Sequence, residues 1–419
     1  MDNPFTVPPL SVGLDFGAGS VKAETVLHSE YDTAALDAVT AKFVQHLRRP
    51  QSLALLQPKM TEAAFREKLH IWLKATTTSL SGLHLGHWKA LVAKNYLSGS
   101  TLAEAAALDS AQQDLVDLHL GMIKYALRWG YSYKRWREVV NGMLQKGPGH
   151  PMIHRLRVIH IYKADYNLIL GVMWRKLLHK AEDMGSLNYG QFGSRPRQTV
   201  YDPVFVEEMM SETSRASRQS QIKFDNGTTA CYERIVLSVA TLASCRFDMP
   251  REVVRVMKQT LEPTKYRVNI GLGISNSTSL HTDAWPIYGM GQGSANSPTV
   301  WGLINSLAFD VHQSLGHGAQ MASSTGRVTD RICMIGFLND STGTVANFSH
   351  PTSLASMNWS QDGVGCNRLA PGPLYERGIA STSQMLVSPS PMGILSWRSP
   401  GVEPTGCQTI PLCLTPWKG

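Results

Sequence analysis

The sequence predicts an α+β protein, and three observations predict it. Hydrophobic residues make up 43% of the 419 positions and include ten Trp, enough to fill a sizeable core. Apolar residues recur at helical spacing in several segments, with capping residues at their starts and stops. Between those segments stand short apolar runs with charged ends, at 156–161, 221–225, 265–270 and 331–338. Strands of this kind, separated by helices, describe a sheet covered on one side.

The elements follow in chain order. Residues 1–60 show weak periodicity and read as a loosely structured leader, partly disordered, with one helix near 33–48. Thr61 can cap a helix over 62–75, where Phe65, Leu69, Trp72 and Leu73 share a face. A second helix fits 109–129, with Leu115, Leu118, Met122, Tyr125 and Trp129 in one stripe and Gly130 as its stop. The segment Gln145-Lys146-Gly147-Pro148-Gly149-His150-Pro151 cannot continue a helix, so 61–150 reads as a helical N-terminal extension. Leu156 to Ile161 is an extended run, followed by a helix over 166–182. Pro250 opens a helix whose Val254, Met257 and Leu261 face inward. Past residue 346 the composition changes: the last 74 residues hold seven charged side chains and 27 Gly, Pro or Ser. That tail, 346–419, is expected to lack a packed core.

Net charge is +8, and residues 121–180 hold twelve Lys/Arg against the acids Glu138 and Asp165. Tyr125, Trp129, Tyr131, Tyr133, Trp136, Tyr162, Tyr166 and Trp174 interleave with them. The mixture suits a groove that neutralises phosphates and stacks bases. It equally suits a solvated basic face whose aromatics lie in the core. No run of 18 apolar residues is present, so no membrane span is expected. The N-terminus lacks the basic start and apolar stretch of a secretory signal. The six cysteines form no C-x-x-C pair, which argues against a zinc site or disulfide scaffold and for a reducing, intracellular setting.

Three strings carry candidate chemistry. Lys223-Phe224-Asp225-Asn226-Gly227 ends a strand in an acid and continues as Ala230-Cys231-Tyr232-Glu233-Arg234-Ile235. In Gly289-Met290-Gly291-Gln292-Gly293-Ser294-Ala295-Asn296-Ser297-Pro298, glycines let backbone approach a ligand and Ser-Pro starts a helix. Phe337-Leu338-Asn339-Asp340 closes the apolar run Ile332 to Gly336 at a tight turn. Each has a plain structural reading, as a helix cap, a strand-to-helix turn or a hairpin. Yet acids at strand ends can hold a divalent cation over a phosphate, and the three stand in order, 67 residues from Asp225 to Gln292 and 48 from Gln292 to Asp340.

Together the strings resemble motifs A, B and C of the reverse-transcriptase palm. Leu156-Arg157-Val158-Ile159 looks like the R-P-I fingers strand of retroelement reverse transcriptases, and Ala164-Asp165-Tyr166-Asn167 fits the next segment. Gln191-Phe192-Gly193-Ser194-Arg195-Pro196-Arg197-Gln198-Thr199 looks like the Q-x-G-F-R-x-G-R-S-T stretch before motif A. The similarity covers roughly 150–345. It implies right-hand polymerase fingers and palm over 151–345. It also implies two-metal nucleotidyl transfer with Mg²⁺ or Mn²⁺, with dNTP and an RNA or DNA template-primer as partners. By the resemblance, Arg157 and Lys163 would face the triphosphate, Gln292 and Gly293 would form the floor under the nucleotide, and Tyr232 would block a 2′-hydroxyl.

The chain departs from the family at its acids. The family's motif A carboxylate lies five positions before the aromatic. Five before Tyr232 is Gly227, while Asp225 lies two residues earlier on the same strand face, about 6–7 Å away. Either Asp225 serves at an unusual offset or the acid has been lost to Gly227, and the spacing favours loss. In motif C, Asn339 holds the first acid position and Asp340 the second. Loss of a charged ligand weakens transition-state stabilisation by several kcal/mol, on the order of a thousandfold in rate. The catalytic positions are thus Asp225, Gly227, Asn339 and Asp340, with Asp225 and Asp340 as the metal carboxylates and little or no polymerase activity expected. The family continues after motif C into a hydrophobic hairpin and a helical thumb, and residues 346–419 offer neither. A reading frame that slipped near residue 346 would account for this.

Other readings compete. A reverse-transcriptase fold could serve as a nucleic-acid-binding module without catalysis. His84-Leu85-Gly86-His87 matches the H-x-G-H of adenylyl-transferring enzymes, but no Lys-rich partner loop follows. Val12 to Ser20 resembles the first phosphate loop of actin-like ATPases, but a second such loop is missing.

Overall fold

The computed structural model describes residues 21–50, 54–72, 80–81, 85–90, 92–93, 101–147, 149, 156–227, 231–270, 273–280, 289–322, 327, 329–338, 340–347, 384–387 and 394–398. The first half runs α1 (Val21–His28), α2 (Ala38–His46), α3 (Glu62–Ile71), α4 (Leu85–Ala90), α5 (Leu102–Trp129), β1 (Glu138–Gln145), β2 (Leu156–Ile161), α6 (Ala164–Asp183), α7 (Tyr201–Ala216) and β3 (Ser220–Gly227). Then come α8 (Leu237–Arg246), α9 (Arg251–Leu261), β4 (Lys265–Ile270), β5 (Gly273–Ile274), α10 (Ser297–Ser314), β6 (Ala319–Ala322), β7 (Thr329–Ile332), β8 (Met334–Phe337), β9 (Asp340–Asn347), β10 (Gln384–Val387) and β11 (Ile394–Arg398). The α+β class is observed. No described helix is long and apolar enough to cross a membrane.

The strands do not share one sheet. β2, β1, β4 and β5 form a four-stranded sheet, while β10, β11, β3, β9 and β8 form a five-stranded one. The run 331–338 breaks at Cys333, so that β7 pairs with β6 in a separate ribbon and β8 joins the larger sheet. Nor is the larger sheet covered on one side alone. Ile222, Phe224 and Met334 pack against Phe309 of α10. On the other face Ile335 and Phe337 meet Val206 and Met210 of α7. A single apolar run cannot reveal two-sided cover, because both faces of a short buried strand read alike.

Caps set the helix ends. Thr61 accepts from the Ala64 amide, and α3 stops at Ile71, where Trp72 turns extended; Leu73 lies outside the described residues. Thr101 and Glu104 form a capping box that starts α5 seven residues earlier than the apolar stripe suggests. Gly130, at φ 65°, ends it as expected. The stripe itself is turned the other way. α5 buries Val116, Leu120, Ile123, Ala126 and Leu127, while Leu115, Leu118, Tyr125 and Trp129 are exposed. Two apolar faces run along this helix, and only tertiary packing chooses between them.

Residues 21–50 are not loose. Ala23, Val26, Leu27, Phe43, Val44 and Leu47 belong to the principal core, together with Trp136, Tyr166, Trp174 and Met257. A buried charge cluster fastens this segment: Asp248 accepts 2.7 Å contacts from both Arg49 and Lys180. Residues 1–20, and with them the actin-like string, lie outside the described residues. So does His84, whereas His87 stands in α4 next to buried Trp88. β1, which ends at Gln145, pairs antiparallel with β2; Pro148, His150 and Pro151 of the expected boundary lie outside the described residues. Most of the tail is likewise outside the described residues. Two strands in it are described, and β11 adds to β3 in parallel register, so the tail is not wholly without regular structure.

Candidate active site

Asp225 and Asp340 are brought together by strand register. β3 pairs antiparallel with β9, setting Asp225 opposite Thr342 and Gly227 opposite Asp340. Because faces alternate with a period of two, Asp225, Gly227, Asp340 and Thr342 all lie on the α7 face. Asp225 and Asp340 are diagonal neighbours, about 7–8 Å apart at that position of a sheet. Both are exposed. The Thr342 hydroxyl donates to Asp225 Oδ1 at 3.0 Å. Burial raises the Asp340 carboxyl above its ordinary range, and the charge of Asp225 raises it further.

That shift has a definite sign. The folded chain holds the Asp340 proton more tightly than the unfolded chain, so this contribution to stability is complete below the ordinary carboxyl range. It is lost as pH rises through the raised value. Asp225→Asn is expected to lower the Asp340 pKa, leaving only the part due to burial. Carboxyl ¹³C titration by NMR checks this, and an unchanged titration would show that the two acids do not interact.

A third acid was not apparent in the sequence. Glu207 of α7 stands beside Lys223, 4.0 Å from its ammonium, and within hydrogen-bond reach of Thr342. Burial raises its carboxyl, Lys223 and Thr342 oppose the rise, and Asp225 adds to it. Only its place on α7 above β3 marks it out, and nothing in the local pattern of 201–216 could. Among the described residues no group of three or more His, Cys, Asp or Glu side chains could hold a metal ion. Asp225 and Asp340 are two carboxylates, the donor type that hard cations prefer, and fewer than a charged cage for two ions needs.

β8 and β9 pair as a hairpin. Phe337 pairs with Asp340, and Leu338 sits at φ 56°. A left-handed leucine costs about 1–2 kcal/mol, and its neighbours hold it there. Trp301 Nε1 donates to the Leu338 carbonyl at 2.6 Å. Beneath lies Gly193, where a Cβ would overlap the Leu338 amide nitrogen. The backbone around it is pinned to β8: Phe192 N donates to Gly336 O at 2.8 Å, and Gly336 N donates to Gly190 O at 2.8 Å. Arg195 forks onto Glu182 at 2.7 and 2.8 Å and donates to the Asn188 and Gln191 carbonyls. The Gln191–Thr199 string is thus the platform of the hairpin. Asn339 lies outside the described residues.

The glycine-rich block is a clamp on β2. Gly289, Gly291 and Gly293 all have positive φ. A Cβ at Gly291 would come within 2.7 Å of the His160 ring and the Tyr162 hydroxyl, and one at Gly293 would overlap the His160 carbonyl. The close approach expected toward a ligand is made instead to the protein's own strand. His160 N donates to Gln292 O at 2.6 Å, and Tyr162 OH donates to Met290 O at 2.9 Å. Burial lowers His160 to about 4, so the ring under the block is neutral at pH 7. Asn167, unremarked beyond its motif, holds the other side: it accepts from Ala295 N at 2.7 Å and donates to Gly293 O at 3.3 Å. The Gln292 side chain is half-buried and Gly293 is exposed.

The remaining candidates lie on neighbouring elements. Tyr232, half-buried, has its carbonyl bonded by Met290 N at 2.8 Å, which joins the turn after β3 to the glycine block. Arg157 is exposed on β2, in the smaller sheet, with no ion-pair partner among the described residues. Lys163 stands at the N-terminus of α6 without a side-chain cap, its pKa lowered by burial. The structure thus joins Asp225 to Asp340, and Tyr232 and Gln292 to one block. It shows no contact between Arg157 or Lys163 and the acid pair. Of the aromatics in 121–180, Trp136, Tyr162, Tyr166 and Trp174 are core, while Tyr125, Trp129 and Tyr131 are exposed. Against models of known protein families, and against curated proteins, the sequence finds no match.

Proposed function

We propose that this chain is a reverse-transcriptase-like protein whose catalytic centre is reduced to a weak cation site, with little or no polymerase activity. The observation that carries the reading is the β3–β9 register, which aligns Asp225, Gly227 and Asp340 on one face of the sheet, the face toward α7. A divalent cation held by Asp225 and Asp340 would polarise a phosphate and stabilise a leaving pyrophosphate. The chain's own residues contribute position: the Gly193 platform and Trp301 fix the hairpin, and the glycine block with Tyr232 walls the space beside β2. Two carboxylates fall short of what two ions need, and Gly227 leaves bare the place opposite Asp340. Primer extension on an RNA template with Mg²⁺ or Mn²⁺ tests this. Incorporation at background level is expected. Robust incorporation that vanishes in Asp340→Ala would overturn the inactive reading.

A second reading has its own observation. At the end of α5, Arg128 lies over the Trp129 ring at 5.2 Å, and Tyr125 meets Tyr131 edge-on at 5.8 Å. Exposed aromatics beside cations form a stacking surface for a single strand, worth about 1–3 kcal/mol per base. If the chain is a binding module, Tyr125→Ala with Trp129→Ala is expected to weaken oligo-uridine binding at least tenfold in fluorescence anisotropy. Unchanged affinity would remove this surface from consideration.

A further inference from the structure

A cavity of about 660 Å³ opens between α3, α6 and the segment 54–57, apart from the acid pair. Its volume falls within the range of small-molecule sites and is far larger than a lone phosphate needs. Leu55, Ile71 and Met184 are exposed on its rim, and Val172 lies in its wall. Lys68, Arg175, Lys176 and His179 bring basic groups to the same wall. Two cations there are already engaged: Lys180 is paired with Asp248, and Lys176 donates to the Lys59 carbonyl at 2.7 Å. Lys68 and Arg175 have no hydrogen-bond or ion-pair partner among the described residues. The lining acids, Glu67 and Asp183, form no ion pair with either.

The position of Lys68 is built in. Its chain crosses α6 at Gly171, where a Cβ would stand 3.2 Å from Lys68 Cε and 3.3 Å from Nζ. The same Cβ would lie 3.2 Å from Ala295 Cβ, so the cavity floor backs onto the glycine-rich block. Burial lowers the Lys68 pKa, the charge of Arg175 lowers it further, and Glu67 only partly opposes this. An ammonium and a guanidinium that repel each other beside an apolar wall are complementary to an anion carried on an apolar body.

We infer that this cavity binds a nucleoside phosphate, with its phosphate on Lys68 and Arg175 and its base against the apolar wall. The phosphate could belong to a free nucleotide or to the 5′ end of a nucleic-acid strand. The site does not depend on the polymerase reading, because neither Asp225 nor Asp340 lines it.

Equilibrium dialysis of the full chain tests the inference, using AMP, adenosine, and a short oligothymidylate with and without a 5′-phosphate. Binding of AMP or of the phosphorylated strand is expected, with the form lacking phosphate at least tenfold weaker. AMP binding identifies a free-nucleotide site, and binding of the phosphorylated strand alone identifies a strand-end site. Lys68→Gln and Arg175→Gln are each expected to weaken binding about tenfold, which corresponds to about 1.4 kcal/mol. Lys68→Met, which keeps the side-chain stem and removes only the charge, provides a second variant if the glutamines disturb folding. The inference is overturned if neither phosphorylated ligand binds at millimolar concentration, if adenosine binds as well as AMP, or if folded variants keep full affinity. Binding of a short-chain phosphatidate in place of AMP also overturns it.

Discussion

Gly227→Asp and Asn339→Asp in one chain are expected to raise Mg²⁺-dependent primer extension by on the order of a thousandfold over the unaltered protein. Register is the reason. Position 227 stands directly opposite Asp340 and two residues along the same face from Asp225. An acid there adds a third carboxylate to that face, and Asn339→Asp restores the acid that the reverse-transcriptase resemblance implies. Hard cations bind in proportion to charged oxygen donors, so Mn²⁺ affinity is expected to rise as well. Affinity can be followed by paramagnetic broadening even where incorporation is slow. Gly227→Asp alone is expected to raise the Asp340 pKa in the absence of metal and to lower it when metal is added. A folded double variant with unchanged Mn²⁺ affinity would show that this face is not a cation site. Raised affinity without incorporation would place the defect elsewhere than at the acids.

The second large effect concerns stability. Gly193→Ala is expected to lower the free energy of unfolding by about 3 kcal/mol or more, because the added methyl overlaps the Leu338 amide and lies 3.0 Å from its Cα. Backbone cannot swing aside as a flexible side chain can. Relief would require the β8–β9 turn to leave its platform, which would also move Asp340. Gly121→Ala, in α5 with nothing within 4 Å of the added carbon, is expected to change stability in the opposite direction by up to about 1 kcal/mol. Urea unfolding of the two variants beside the parent measures both. Equal midpoints for Gly193→Ala and parent would refute the platform.

Some of this was legible along the chain because it is local. The Thr61 cap, the Gly130 stop, the Lys265–Ile270 strand and the helix behind Pro250 depend on residues within a turn of one another. Each was read within a residue or two, or with a shifted end. The exposed stripe of α5 differs from the expected buried one for the opposite reason. Leu115, Leu118, Tyr125 and Trp129 repeat at helical spacing just as Val116, Leu120, Ile123 and Leu127 do, and periodicity alone cannot rank two apolar faces. Glu207 leaves no trace in its own segment, since its meaning lies in the β3 and β9 residues it faces. The glycines at 291 and 293 are sites of close backbone approach, as their sequence implies, but what they approach is His160.

The sequence by itself determined the α+β class, the helix caps, and the presence of Asp225 and Asp340 at strand ends in the order that a metal site would use. It also determined that position 227 offers no side-chain donor in any fold. Only the tertiary structure decided that Asp225 and Asp340 share a face, since strand register is a long-range property set by pairing across 115 residues. It also split the strands into two sheets and placed α7 over the acids. In the Lys68–Arg175 cavity it gathered cations from two helices that the chain keeps more than a hundred residues apart. Local sequence sets what each segment can form, but burial and pairing choose which faces meet, and the chemistry depends on the faces that meet.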